Sequence, residues 1–160
     1  MTDTAVEQDA VDLLVEQHTR IRDLFTEAES SSSAARAHAF HCLVRLLAVH
    51  EAADKQVLHP LTRLYVHGGD HIVADLLAEE HRTGQTLAAL AAMGTDAPEF
   101  PRLLTELRTA VLEHANREEA YEFRYLRRDV PAGELRAFSA ALRAAEAVTP
   151  TRPTSAAGKD

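Results

Sequence analysis

Apolar residues step by threes and fours along four long stretches of this chain, and in each of the four the stripe is broken by a histidine. The spacing is that of a helix with one face turned inward, since a turn takes about 3.6 residues. The first stretch reads Val11, Leu14, His18, Ile21, Phe25, and the second Phe40, Leu43, Leu47, His50, Asp54, Val57, Leu61. The third reads Val73, Leu77, His81, Gly84, Ala88, and the fourth Leu104, Leu107, Val111, His114, Glu118, Tyr121, Tyr125. Breakers separate them: the serine-rich run 29–33, Pro60 followed by Gly68-Gly69-Asp70, the stretch 94–101, and Asp129-Val130-Pro131. The helices are therefore expected at roughly 5–29, 34–59, 70–93 and 101–128, with a shorter one at 131–147. Short connections between long amphipathic helices turn the chain back each time. The expected fold is all-α, an up-down-up-down four-helix bundle with a short fifth C-terminal helix. It forms one domain over 1–147, and 148–160 is expected to be a disordered tail with almost no apolar surface to bury.

Composition narrows the class of function. Of 160 residues, 46% are hydrophobic and 26% charged, enough for one sizeable core. The formal net charge of −8 argues against nucleic acid and against an anionic membrane, both of which call for clustered Lys and Arg. The N-terminus has neither a basic region nor an apolar run, and no apolar stretch reaches the roughly 18 residues of a membrane span. The expected location is the cytoplasm. The one cysteine, Cys42, cannot form an internal disulfide and is expected in the core.

The histidines carry the functional signal. Taken singly, each would be a hydrogen-bonded core residue. One in every stripe, with Asp54 and Glu118 beside them, requires a shared explanation, because a buried carboxylate is costly unless it is paired or holds a metal. Asp54 follows His50 by four residues and Glu118 follows His114 by four, so each pair lies on one face about one turn apart. Glu51, about 100° round from His50, can reach the same side. The histidines sit near the middle of their helices, a level shared by antiparallel neighbours whatever their direction. Four imidazoles and three carboxylates without a thiol suit iron or manganese, and less specifically zinc. Seven ligands exceed one tetrahedral zinc and suit two metals that share carboxylate or oxo bridges. Glu80 and Glu119 are read as solvated or as supports behind the ligands. His38, His41, His67 and His71 are read as surface or helix-end residues, as is His59, which could instead back Asp54 from below. Tyr121 and Tyr125 are expected to pack in the core; the alternative for Tyr121 is to line the ligand pocket.

The arrangement resembles the hemerythrin, or HHE cation-binding, family. That family places a His on its first helix, a His-x-x-x-Glu-like group on the second, a His on the third and His-x-x-x-Glu/Asp on the fourth. Here these read Glu16-Gln17-His18, His50-Glu51-Ala52-Ala53-Asp54, Glu79-Glu80-His81 and His114-Ala115-Asn116-Arg117-Glu118. Pro60 after Val57-Leu58-His59 matches the usual hydrophobic-x-Pro close of the second helix. The resemblance covers about residues 11–128 and implies metal ligation by His18, His50, Glu51, Asp54, His81, His114 and Glu118. It implies two irons per chain. Oxygen-carrying members have a second His four residues before the one on the third helix; here that position is Leu77. Glu51 directly after His50 resembles the iron-sensing domain of a eukaryotic ubiquitin-ligase subunit, as well as many bacterial members. Asp54 stands where Glu is common. These departures point away from reversible oxygen carriage.

Three functions follow as expectations. The first is a two-iron protein that binds or senses dioxygen, iron, peroxide or nitric oxide. The second is a two-iron enzyme that activates oxygen or decomposes peroxide or nitric oxide. The third is a metal-free helical bundle with an interaction role.

Overall fold

The computed structural model describes residues 7–148, and its regular structure is helical throughout. Helix α1 spans Ala10–Ser30 and α2 spans Ser33–Ala53. A π-helical turn, Asp54–Leu58, joins α2 to α3, His59–Tyr65, without a break. Helix α4 spans Gly69–Met93 and α5 spans Phe100–Arg117. A second π segment, Glu118–Phe123, carries α5 into α6, Arg124–Asp129. Helix α7, Ala132–Val148, closes the chain. The architecture is thus four long helical rods with a short C-terminal helix, as the periodicity indicates. Residues 149–160, nearly all of the expected tail, lie outside the described residues.

Local chemistry sets the rod ends. Asp9 caps α1 reciprocally: its Oδ1 accepts from the Asp12 amide at 2.8 Å, and Asp12 Oδ2 accepts from the Asp9 amide at 3.1 Å. Between α3 and α4, Gly68 adopts φ +73°, and at Gly69 a Cβ would come within 2.2 Å of the Thr62 carbonyl oxygen. Glycine there lets the two helices meet closely.

The second rod runs past Pro60 and ends at Tyr65, six residues beyond the expected stop at 59. Proline normally breaks a helix because it has no N–H to give and its ring crowds the preceding turn. Here the turn before it is widened, and the His59 amide bonds to the Asp54 carbonyl, five residues back.

The π turns also shift which residues face inward. In an α-helix, the residues three and four beyond Asp54 or Glu118 share its face; in a π turn, those four and five beyond do. Accordingly Leu58 and His59 are buried and Val57 only partly so. Glu122 and Phe123 are buried, while Tyr121 is 57% exposed and Tyr125 half-buried. The expectation of core packing fails for Tyr121 for this reason, while Tyr125, half-buried, packs against the apolar cluster.

Two apolar clusters fill the interior. One gathers Ile21, Phe25, Phe40, Leu43, Phe100 and Leu104 at one end. The other gathers Leu14, Leu58, Leu61, Phe123 and Leu126, with Leu135 and Leu142 of α7 laid against it. Cys42 is half-buried beside His38, 3.8 Å away, rather than in the core as expected.

Candidate metal centre

Between the two apolar clusters the rods bring six polar side chains together. Helix α1 supplies His18, α2 supplies His50, α4 supplies Glu80 and α5 supplies His114. The first residue of each π segment supplies a carboxylate, Asp54 and Glu118. All six are buried, and Asp54 and Glu118 are wholly so. His18 Nε2 lies 3.0 Å from His50 Nε2 and 3.4 Å from Glu118 Oε1. His50 Nε2 lies 3.3 Å from Asp54 Oδ2 and 3.4 Å from Glu118 Oε1. On the other side, His114 Nε2 lies 3.1 Å from Glu118 Oε1 and 3.5 Å from Glu80 Oε1.

The donors fall into two groups, His18–His50–Glu118 and Asp54–Glu80–His114–Glu118, each offering ligand atoms within 4.8 Å of one another. Glu118 belongs to both. Both oxygens of Asp54, Oε2 of Glu80, Oε2 of Glu118 and both ring nitrogens of His114 are buried without a hydrogen-bond partner. So many buried polar atoms without a hydrogen-bond partner would be destabilising in a finished core. A cation satisfies them, and imidazole with carboxylate is the donor set of iron, manganese or zinc. The residues present fit a pair of such ions.

The electrostatics of the metal-free chain agree. Burial, and after it the neighbouring Glu118, pushes the Asp54 carboxyl well above the usual range. Burial works the same way on Glu118, but His114, His18 and His50 overcome it and hold that carboxyl well below the usual range. Burial lowers His50. His114 resists burial and is raised to about 10 by Glu118 and Glu80. A cation would displace the proton on His114 and compete with protons at Asp54.

Outer contacts aim the imidazoles. Gln17 Oε1 accepts from His50 Nδ1 at 2.9 Å, leaving Nε2 to face the centre. His114 Nδ1 is 3.8 Å from Glu79 Oε2, and Glu79 is gripped by Arg117. His18 Nδ1 is 3.7 Å from Glu119 Oε1, consistent with the supporting role expected of that residue.

Three expectations change. His81 is exposed on α4 and touches Gln85 at 3.4 Å, away from the centre; Glu80 takes the inward position. The stripe that α4 turns inward is Val73, Leu76, Glu80, Thr83, Leu87, Leu90, one residue out of register with Leu77, His81, Gly84, Ala88. Burying Leu76, Leu87 and Leu90 removes more apolar surface from water than burying Leu77, Gly84 and Ala88. Glu51 is half-buried beside the centre and belongs to neither donor group; burial, then Glu80, raises its carboxyl. Tyr121 faces an outer groove with Ile72, Leu76 and Arg117.

Sequence reasoning missed Glu80 as an inward donor and Glu122 altogether. For Glu80 a signal existed in the leucine-rich register of its helix. For Glu122 the position four after Glu118 was a hint, but only the π segment settles which neighbour turns in. His59 is buried against Glu80 and Glu122, not at the surface. Burial opposes its charge, yet the two carboxylates raise it to about 9.

A small cavity adjoins the centre, walled by Ile21, Leu47, Val111 and Leu112, with Glu51 and Thr83 also on its lining. About 20 Å³ of it is open to the centre of a water molecule, room for one water or a ligand of similar size.

Among known proteins, the family described as Hemerythrin HHE cation binding domain matches residues 9–126. A crystal structure of a hemerythrin HHE cation binding domain-containing protein from Mycobacterium kansasii superposes with a TM-score of 0.73 at 19% identity, over 88% of this chain and 86% of that one. A curated protein of Nostoc sp., described as a DNA nickase, is 25% identical over 136 residues, 84% of this chain; those residues span only 38% of that protein.

Proposed function

This chain belongs to the hemerythrin HHE cation-binding domain family, and from that premise we propose that it is a two-iron protein acting on a small oxygen or nitrogen ligand. One observation carries the reading: two groups of buried donors share the Glu118 carboxylate and leave its Oε2, together with both oxygens of Asp54, without a protein partner. His18, His50 and Glu118 would hold one ion; Asp54, Glu80, His114 and Glu118 would hold the other. Bound iron supplies redox capacity and Lewis acidity at this point.

The chain's own residues define what reaches it. Ile21, Leu47, Val111 and Leu112 give the cavity beside the donors an apolar wall, which suits a small ligand such as dioxygen, nitric oxide or peroxide. Glu51, whose carboxyl burial raises above its ordinary value, stands on the lining of that cavity, within reach of an incoming ligand. Donors at the centre are rich in carboxylate, with Glu80 where a histidine was expected. That composition supports sensing or redox chemistry over reversible oxygen carriage. None of the described helices is long and apolar enough to cross a membrane, and the single cysteine suits a reducing cytoplasm. The nicking named for the Nostoc protein receives no support from this chain's net charge of −8.

Metal analysis with a visible spectrum tests the reading. Two irons per chain and a charge-transfer band are expected after iron-replete expression. A folded, colourless protein without iron would sink it. Peroxide and nitric oxide consumption assays then separate an enzyme from a binder.

A further inference from the structure

The centre does not account for all that the bundle buries. Just beyond Asp54 and Glu118, His59, Thr62 and Glu122 are shut off from solvent, with exposures of 1%, 0% and 0%. Leu58, Leu61, Phe123 and Leu126 belong to the apolar cluster at this end of the bundle. An imidazole and a carboxylate there cost free energy unless each is answered. They answer one another and reach Glu80. His59 Nδ1 lies 2.7 Å from Glu122 Oε2, His59 Nε2 lies 3.2 Å from Glu80 Oε1, and Thr62 Oγ1 donates to Glu122 Oε2 at 2.9 Å. Each ring nitrogen of His59 thus lies within hydrogen-bonding distance of a carboxylate oxygen, one on Glu122 and the other on Glu80.

Glu80 needs such a hold. It is the only donor that α4 gives to the centre, and a glutamate has more rotamer freedom to lose than a histidine. Its Oε1 is engaged by His59, while its Oε2 is buried without a partner. The π turns make the arrangement possible: one starts at Asp54 and brings His59 inward, the other starts at Glu118 and brings Glu122 inward.

We propose that His59 is a positioning residue that holds Oε1 of Glu80, the oxygen that also lies 3.5 Å from His114 Nε2, and so fixes the carboxylate for the metal held with Asp54 and His114, with Glu122 and Thr62 locking the imidazole in place. This rests on the two-metal reading above. Cobalt(II) titration of the metal-free full chain, followed by visible absorption and by melting temperature, tests it. Wild type should take up two equivalents; fewer would sink the two-metal reading itself, and this proposal with it. In His59→Ala the first equivalent should bind as before, while the second weakens about 10- to 100-fold and its absorption band changes. His59→Phe fills the ring's space without its donors, should show the same loss, and carries the test if His59→Ala does not fold. His59→Gln, whose amide can still donate to Glu80, should recover most of the affinity. Wild-type affinities and spectra in the Ala and Phe variants, with only the melting temperature lowered, would overturn the proposal and leave His59 a packing residue.

Discussion

The two ends of the bundle interior, on either side of the centre, are built on different rules. Toward Phe25, Phe40 and Phe100 the rods are regular α-helices and the buried side chains are apolar, with Phe40 and Phe100 packed edge to face at 5.0 Å. Toward Phe123 and Leu126 both π segments occur, and His59, Thr62 and Glu122 lie buried close to Leu58 and Leu61. The first end holds the rods together by removing apolar surface from water. The second gives up part of that gain to hold carboxylates where a metal needs them. The junction falls where each π segment begins, at the two carboxylates themselves. Stability and function thus occupy neighbouring parts of the same four rods, and changes at one end should leave the other largely intact.

The sharpest way to break that division is at its boundary. Glu118→Ala removes the carboxylate common to both donor groups and should reduce bound metal from two ions to one or none, read by metal analysis of the folded protein. The metal-free chain should lose stability as well, because His114, His18 and His50 lose the buried carboxylate that answers them. Full metal content in this variant would remove Glu118 from the site. At the apolar end, Phe25→Ala should cost about 3–5 kcal/mol in urea unfolding while the folded fraction still binds its metals. Loss of metal without loss of stability would show that the ends are not separable.

Smaller effects sharpen the comparison. His114 holds a proton in the metal-free chain, with a pKa of about 10, and burial shifts Asp54 upward, toward the protonated form. Protons compete with metal at both, and the sign follows: affinity falls as pH falls. Loading in weak buffer should release protons, and the metal dissociation constant at pH 6 should exceed that at pH 8. An affinity independent of pH would contradict this assignment. Smallest of all, His81→Ala should leave metal content unchanged and shift stability by no more than about 0.5 kcal/mol, since the side chain is exposed. A lost metal ion would return His81 to the centre.

That last residue shows how far the sequence can be read. Along α1, α2 and α5 the stripe through His18, His50 and His114 admits one register, because leucine, isoleucine and phenylalanine flank it on one face. Along α4 alanine and leucine occur on several faces, so two registers one residue apart both look amphipathic. The leucines favour the register of Glu80, but the histidine marks the other. Packing against α5 and α3 chooses the one that buries Leu76, Leu87 and Leu90, and Glu80 comes in with them.

Four amphipathic helices, their short connections and a ring of imidazoles with carboxylates at one level follow from residue order, because helical spacing is a local property and a buried charge needs an explanation wherever it lies. The register of α4, the passage of the second rod through Pro60, and the inward turn of His59 and Glu122 do not. A π turn depends on what it gains across the interior, here the meeting of Asp54 with Glu118 and of His59 with Glu122, and those partners lie more than sixty residues apart in the chain.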